Sequence, residues 1–290
     1  MISGTILVAS VAVLAMFGLP LGIDFRGGSL LEVEFMGDAP TLPDIENEIR
    51  ALTAGEVRLQ STGPHGILLR LRDLSEEEHQ RVLAALDSVA GESGIQERRF
   101  ESIGPTVGAE LKRRAGVAIF FALLAIVLYI TWAFRKVSNP ISSWKYSLIA
   151  IAALMHDVII PTGIFAFLGY IKGIEVDALF ISAILTILGF SVHDTIVVFD
   201  RVRENLEKFF NRPFEEIVAK SVRETIARSL NTSLTTLFVL TAVFIFGGES
   251  VRYLALALSF GIFFGTYSSI FIASPLLVTW ERWQRKRKKK

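Results

Sequence analysis

Long apolar runs divide the chain into segments of membrane-spanning length. They cover residues 2–21, 115–134, 146–170, 178–199, roughly 229–246 and 253–280, separated by charged or Gly- and Pro-containing connections. A helix needs about 20 apolar residues to cross roughly 30 Å of hydrocarbon. The pattern therefore predicts an all-α membrane bundle of six transmembrane helices, with both chain ends on the same side.

The first run, 2–21, has the length of a cleaved signal peptide as well as that of a membrane span. No basic stretch precedes it and no clean small-residue cleavage site follows it, so we expect a retained first transmembrane helix, 1–21. The missing basic head indicates a natural N-terminus that is shortened here or unusual.

Residues 22–114 have the pattern of a folded α+β domain. Strand patterns occur at 29–36, 56–60, 66–72 and 95–103, and helix patterns at about 41–54 and 75–90. Thr41 is the expected N-cap of the first helix, and Ser75 with Glu78 is a capping box for the second. The order βαββαβ predicts a ferredoxin-like sandwich, with helices covering one face of the sheet.

Composition places the chain among membrane proteins. Hydrophobic residues make up 51% and charged residues 20%, and the mean hydropathy is +0.49; an average soluble domain is about 25% charged. The chain has no cysteine, which excludes disulfides, thiolate nucleophiles and cysteine-based metal sites. Its net charge of +1 identifies no partner.

The distribution of Lys and Arg predicts the orientation. Seventeen of them lie in the connections 135–145 and 200–228 and in the tail, whereas the opposite short loops hold only Lys172 and Arg252. The positive-inside rule then puts both termini in the cytoplasm of a multi-pass inner-membrane protein, and domain 22–114 outside it. Residues 200–228 are predicted to form a salt-bridged amphipathic connector broken at 211–213. We expect the basic tail to contact anionic membrane lipid.

Two acids lie inside the predicted spans, Asp157 and Asp194, each directly after a histidine, His156 or His193. At 1.5 Å per residue, Asp157 lies about 16 Å inside its span and Asp194 about 9 Å from the cytoplasmic end. A charge at the membrane centre costs at least about 2.5 kcal/mol, so such residues usually face the bundle interior and mark ion or proton paths. We predict a proton relay; the alternative is a buried hydrogen bond between helices.

Arg228, at the head of the fifth span, is the nearest cation in the sequence pattern. Polar residues follow it at three- and four-residue intervals: Asn231, Thr232, Thr235 and Thr236. This spacing puts them on one helix face, which would suit a hydrated path towards Asp194. The alternative for Arg228 is that its side chain extends to the membrane surface.

His-Asp doublets also occur in metal-dependent phosphohydrolases, which makes an enzyme one interpretation. The chain has only four histidines, and His65 and His79 belong to the outer domain. No further ligand cluster accompanies the doublets. We therefore expect no enzymatic activity, metal or cofactor, and no nucleic-acid partner.

Five segments together resemble the SecF family, the smaller of the paired SecD and SecF subunits of the bacterial protein export machinery. They are GIDFRGGSLLEVEF at 22–35, ESIGPTVGAEL at 101–111, HDV at 156–158, GFSVHDTIVVFDRVREN at 189–205 and RSLNTSLTT at 228–236. The family motif at the exit of the first span corresponds to Asp24, Phe25, Arg26, Gly27 and Gly28. Its paired glycines permit a tight turn from helix to strand.

The resemblance implies half of a resistance-nodulation-division type transporter, with five helices in 115–290 added to the first span and SecD supplying the other half. It also implies association with the SecYEG channel and use of the proton-motive force to pull translocating preproteins outward, with protons as the coupling ion. The family's proton-path acid and arginine correspond to Asp194 and Arg228. His193 and Asp157 are further relay candidates from the membrane-burial argument.

Two other functions compete with protein export. A proton-coupled exporter of lipids or small molecules would need the same buried acids, although such exporters usually have larger outer domains and both halves in one chain. A structural membrane scaffold would not need Asp157 and Asp194 inside its spans.

Overall fold

The computed structural model describes residues 2–37, 39–53, 57–135 and 141–288. The chain divides into two compact units, Met1–Pro20 with Gly116–Lys290 and Leu21–Ala115. Helices form the first unit, and a four-stranded sheet with helices forms the second. In chain order, the helices are α1 Ile2–Phe17, α2 Ile23–Arg26, α3 Leu42–Leu52, α4 Glu76–Ala90, α5 Pro105–Ala133, α6 Ser143–Lys172, α7 Ala178–Lys208, α8 Phe214–Phe246, α9 Glu249–Ser268 and α10 Ser274–Lys288.

Five helical segments of the described chain are long and apolar enough to cross a membrane: Pro105–Ala133, Ser143–Lys172, Ala178–Lys208, Phe214–Phe246 and Val251–Arg287. The last one includes a π-helical turn, Ser269–Ala273, between α9 and α10. Helix α1 is apolar but has only 16 residues. It ends before the predicted Leu21 because Gly18 adopts a φ of +70° and Pro20 follows.

The predicted connector 200–228 is not a separate surface element. Helices α7 and α8 extend through it and leave only 209–213 between them, which includes the predicted break at 211–213. Arg201 pairs with Glu204 at 2.6 Å and with Glu224 at 2.7 Å, and Asn205 donates hydrogen bonds to Ser221 and Glu224. These contacts fasten the ends of the two helices together, since residues 201 and 224 lie on different helices.

Glycines allow close helix approaches in the helical unit. A Cβ placed on Gly163 of α6 would lie 2.5 Å from the Cβ of Ser10 on α1. A Cβ on Gly261 of α9 would lie 2.2 Å from Cδ1 of Ile187 on α7. Glycine lets helix backbones approach this closely in membrane bundles.

The second unit contains a sheet with strand order β2-β3-β1-β4 in which all neighbours are antiparallel. Its strands are β1 Gly28–Phe35, β2 Arg58–Ser61, β3 Gly66–Leu71 and β4 Ile95–Ile103. Leu31, Val33 and Leu69 are fully buried with Ile49 of α3 and Leu86 of α4. The succession of strands and helices is the predicted βαββαβ order.

The two predicted helix caps of this unit differ in outcome. Ser75 accepts a hydrogen bond from the backbone N–H of Glu78, and the Glu78 side chain accepts one from the N–H of Ser75, so the capping box is confirmed. Thr41 occupies the N-cap, but its side chain accepts no backbone N–H; its hydroxyl donates to Asp44 at 2.5 Å. Pro43 removes the N–H of the second helical residue as a possible donor. The predicted bounds Ala54 and Glu56 lie outside the described residues.

Candidate functional site

Both intramembrane aspartates are buried within the helical unit. Asp157 of α6 has an exposed fraction of 0%, and Asp194 of α7 has one of 7%. A carboxyl group loses its hydrogen bonds to water when it is buried, so it needs hydrogen-bond partners within the protein. The partners of these two groups come from neighbouring helices.

Asp157 accepts hydrogen bonds from three side chains. Ser191 Oγ of α7 and Ser268 Oγ of α9 donate to its Oδ2 at 2.5 and 2.6 Å, and Nδ1 of His156 lies 2.8 Å from its Oδ1. His156 is itself 4% exposed. The carboxyl group thus joins α6, α7 and α9.

Asp194 has a parallel arrangement with two serines. Ser229 Oγ of α8 donates to its Oδ1 at 2.5 Å, and Ser269 Oγ donates to its Oδ2 at 2.6 Å. Ser268 and Ser269 are consecutive residues, and each donates to a different aspartate. We call Asp157, Asp194 and the four serines Ser191, Ser229, Ser268 and Ser269 the serine–aspartate network.

The network lies where α9 changes into the π-helical turn. Ser274 Oγ donates to the carbonyl oxygen of Ser269, five residues earlier, at 2.9 Å. Short π-helical turns are rare and frequently occur at functional sites. Here the turn begins at Ser269, the residue that contacts Asp194.

Arg228 and His193 do not contact either carboxyl group in the described chain. Arg228 is exposed and lines a cavity of about 240 Å³ with Asp200, Glu204 and Glu224. His193 is exposed on the outer face of α7. The structure therefore assembles Asp157 and Asp194 with serines, and leaves the two predicted basic relay residues at the bundle surface.

The polar stripe after Arg228 also lies on an exposed face of α8. Hydroxyls of Thr232, Thr235 and Thr236 donate to carbonyl oxygens of their own helix at 2.9 to 3.0 Å. A neighbouring face of α8 carries the buried residues Ser229 and Ser233. It is this second face that contacts Asp194.

Sequence reasoning did not identify the four serines. Ser191 stands one helical turn before Asp194, and Ser268 with Ser269 interrupts an apolar run; these were the available signals. Serine is common in membrane helices as a packing residue, so its type alone does not distinguish a carboxyl partner. Only the rotation of each helix about its axis shows which serines face a carboxyl group.

The exit motif folds as a helix-to-strand turn in the second unit. Gly27 and Gly28 have φ angles of +79° and +124°, a region that other residues rarely adopt. A Cβ on Gly27 would lie 2.8 Å from Cα of Pro105, and one on Gly28 would lie 2.7 Å from the carbonyl oxygen of Leu71. Phe25 is buried. Glycine is thus required at both positions for two reasons: the positive φ angle, and the lack of room for a Cβ atom.

Carboxyl and hydroxyl groups in this arrangement can accept and pass on protons. A carboxylate accepts hydrogen bonds only, whereas a serine hydroxyl both donates and accepts. Within the described ranges, no three His, Asp or Glu side chains come together as a possible metal site.

Known proteins match this chain along nearly its whole length. Residues 83–283 match the family model described as protein export membrane protein SecD/SecF, C-terminal, and residues 12–35 match the SecD/SecF GG motif. The protein translocase subunit SecF of Thermobaculum terrenum is 42% identical over 97% of this chain and 90% of its own length. The chain belongs to the SecF family. The SecF of Vibrio alginolyticus is 40% identical over 92% of this chain and 82% of its own.

Solved structures of SecDF also resemble this SecF-family chain. The crystal structure of SecDF from Thermus thermophilus, titled a translocon-associated membrane protein, superposes with a TM-score of 0.80 at 32% identity. The match covers 97% of this chain and 37% of the SecDF chain. A super-membrane-facing form of SecDF gives a TM-score of 0.69 at 31% identity. With five long apolar helices in its described ranges, this SecF-family chain is a multi-pass inner-membrane protein.

Proposed function

We propose that this SecF-family chain pairs with a SecD subunit and uses the proton-motive force to drive late preprotein translocation through the SecYEG channel. The observation that carries the proposal is the burial of Asp194 of α7 between serine hydroxyls of two other helical segments, α8 and the π-helical turn. A buried carboxyl that changes protonation changes its hydrogen bonds, and so favours one helix arrangement over another. The role in protein export is proposed from the names of the relatives, which are protein translocase subunits.

Exposed membrane-facing surface supports the SecD partnership. Only 6% of the most apolar stretch of α5 and 11% of that of α8 are buried. The face of α8 with Arg228, Asn231 and Thr232 is polar and exposed. Polar groups exposed to lipid are unfavourable, so a second half that covers them is expected.

The proposed architecture is half of a resistance-nodulation-division transporter. In it, α1 and the residues up to Leu21 cross the membrane as an additional span, and α1 packs against α6 through Ser10 and Gly163. Residues 22–114 form a ferredoxin-like domain outside the cytoplasm. Both termini are cytoplasmic, as the distribution of basic residues favours.

The proposed mechanism alternates Asp194 between two environments. In the described arrangement it accepts hydrogen bonds from Ser229 and Ser269, and Arg228 faces the cavity with Asp200 and Glu224. Movement of α8 relative to α7 would bring Arg228 closer to the carboxylate, and protonation would release it. Asp157 and His193 are secondary groups in this scheme.

The energy of the gradient is sufficient for such a switch. One elementary charge that crosses 100 mV provides about 2.3 kcal/mol. This shifts a two-state equilibrium by more than tenfold, because about 1.4 kcal/mol corresponds to a factor of ten. A single proton per step therefore changes which helix arrangement is populated.

Reconstitution tests the proposed function. Vesicles containing the channel, the motor ATPase, a SecD partner and this chain should complete translocation of a stalled preprotein faster when a proton gradient is imposed. Vesicles without this chain, or treated with a protonophore, should lose the acceleration but keep ATP-driven transport. The same acceleration in vesicles without the chain would contradict the proposal.

A further inference from the structure

The start of α6 and the end of α10 form a tryptophan-lined cavity at one end of the helical unit. Trp144, Trp280 and Trp283 surround an open volume of about 460 Å³, together with Lys145, Gln284 and Arg287. Trp144 and Trp280 meet edge to face with ring centroids 6.3 Å apart, as do Trp280 and Trp283 at 6.4 Å. Tryptophan is enriched where membrane helices enter the headgroup region.

Lys145 is a buried cation without a counter-charge in the described chain. It is 7% exposed, and its ammonium group lies 5.4 Å from the ring centroid of Trp144. The described residues provide no carboxylate within ion-pair distance of it, and residues 136–140, which are not described, contain no acid. A buried charge without a partner is unfavourable. The cavity therefore lacks one negative group.

Arg287 is a second cation in the lining of this cavity, and no described carboxylate pairs with it. The guanidinium carbon of Arg287 lies 4.1 Å from the ring centroid of Trp283. The acids near the end of α10 are already occupied, because Glu215 pairs with Arg282 and Arg285, and Glu281 pairs with Arg285. In addition, the buried Nε1 of Trp280 has no acceptor among the described residues. Two cations and one donor thus face a cavity whose described lining has no carboxylate, since its remaining polar side chain, Gln284, is neutral.

We propose that this cavity binds one anionic phospholipid. The phosphodiester would accept from Lys145, Arg287 and Trp280 Nε1, and the glycerol and upper acyl chains would pack on the indole rings. A lipid fits better than a free phosphate because three aromatic side chains form the walls. Basic pockets between transmembrane helices recognise anionic headgroups in this way. The basic residues at this end of the unit put the site in the cytoplasmic leaflet.

The four tryptophans of the chain allow a direct test. Trp132 on α5 is 61% exposed and lies outside the cavity, so W132F leaves only the three cavity tryptophans as fluorophores. The full chain with W132F is reconstituted in vesicles that contain acyl-brominated phosphatidylglycerol or acyl-brominated phosphatidylcholine. Bromine quenches tryptophan at short range. The two lipids share a phosphodiester and differ in net charge.

We expect phosphatidylglycerol to bind more tightly than phosphatidylcholine, by about fivefold for each cavity cation. R287Q should reduce this preference about fivefold, whereas K286Q, which removes the same charge from the neighbouring position, should change it less than twofold. K145R should retain the preference because it keeps the charge.

Three results would overturn the proposal. Equal quenching by the two lipids would show that the cavity does not select anions. An equal loss in K286Q and R287Q would show a diffuse basic surface. Reversal of the quenching by soluble glycerol phosphate would identify a free phosphate as the ligand.

Discussion

At the scale of single residues, the serines determine how the two buried aspartates are held. Each carboxyl group accepts short hydrogen bonds from serine hydroxyls of neighbouring helices. Ser268 donates to Asp157, and Ser269 donates to Asp194. The sequence predicts Arg228 as the charged partner of Asp194. The structure instead gives it neutral partners, which hold the anion less strongly than a cation would.

Replacing Ser269 by alanine should weaken both stability and coupling. Interhelical hydrogen bonds in membranes contribute about 0.6 kcal/mol on average and up to about 1.7 kcal/mol, and we expect S269A to lose an amount in this range. S259A is the matched control, since Ser259 bonds only its own helix, at the carbonyl oxygen of Ala255. Unfolding of the purified protein in mixed detergents measures both variants. Equal losses would contradict an interhelical role for Ser269.

Sequence reasoning located Asp157 and Asp194 through a residue-level rule, the cost of charge in a membrane. It could not find their partners, because serine hydroxyls are neutral and acceptable on any helix face. The polar stripe and the family resemblance assigned Arg228 to Asp194, although in this arrangement the Arg228 side chain lines a cavity with Glu204 and Glu224. Which face a side chain occupies depends on helix rotation, which the sequence pattern of α8 leaves undetermined.

At the scale of elements, hydrophobic length predicted six spans, of which five are long enough in the described residues while α1 has only 16 residues; alternation predicted the strands. Strand β4 has the predicted bounds, 95–103, and the capping box placed the start of α4. Helix ends were less predictable: α7 and α8 continue beyond their apolar runs because salt bridges such as Arg201–Glu224 fasten polar turns together. No periodicity in the sequence indicated the π-helical turn, since it depends on one extra residue between packed helices.

Close packing of α7 against α9 gives a prediction for this scale. In G261A, the new methyl group would meet Ile187 at 2.2 Å, and overpacking of this kind costs about 1 to 3 kcal/mol. G189A, in α7, meets nothing within 4 Å and should be neutral or stabilise the helix, by up to about 1 kcal/mol. The same unfolding measurement compares the two variants. A stable G261A beside an unstable G189A would contradict the described α7–α9 contact.

At the scale of the whole molecule, the family and the charge distribution imply an oriented half-transporter. A reporter enzyme active only outside the cytoplasm, inserted at the exposed turn residue Gly63, should be active. The same reporter fused after Lys290 should be inactive, because the positive-inside rule predicts a cytoplasmic location for the basic tail. Whole-cell reporter activity at matched expression measures both fusions. Activity at the C-terminal fusion would reverse the proposed orientation.

The central claim is that the Asp194 carboxyl exchanges protons during gradient-driven export, and D194N tests it most directly. Asparagine keeps the size and can hydrogen-bond both serines, with its oxygen accepting from one and its NH2 group donating to the other, but it has no exchangeable acid. D157N is the comparison variant, because Asp157 is also buried and also accepts hydrogen bonds from two serines. Preprotein translocation is measured in inverted membrane vesicles at matched protein levels, with and without an imposed proton gradient. The account predicts that D194N abolishes the gradient-dependent part and keeps the ATP-driven part, with a smaller effect of D157N; full gradient-dependent translocation by D194N would contradict it.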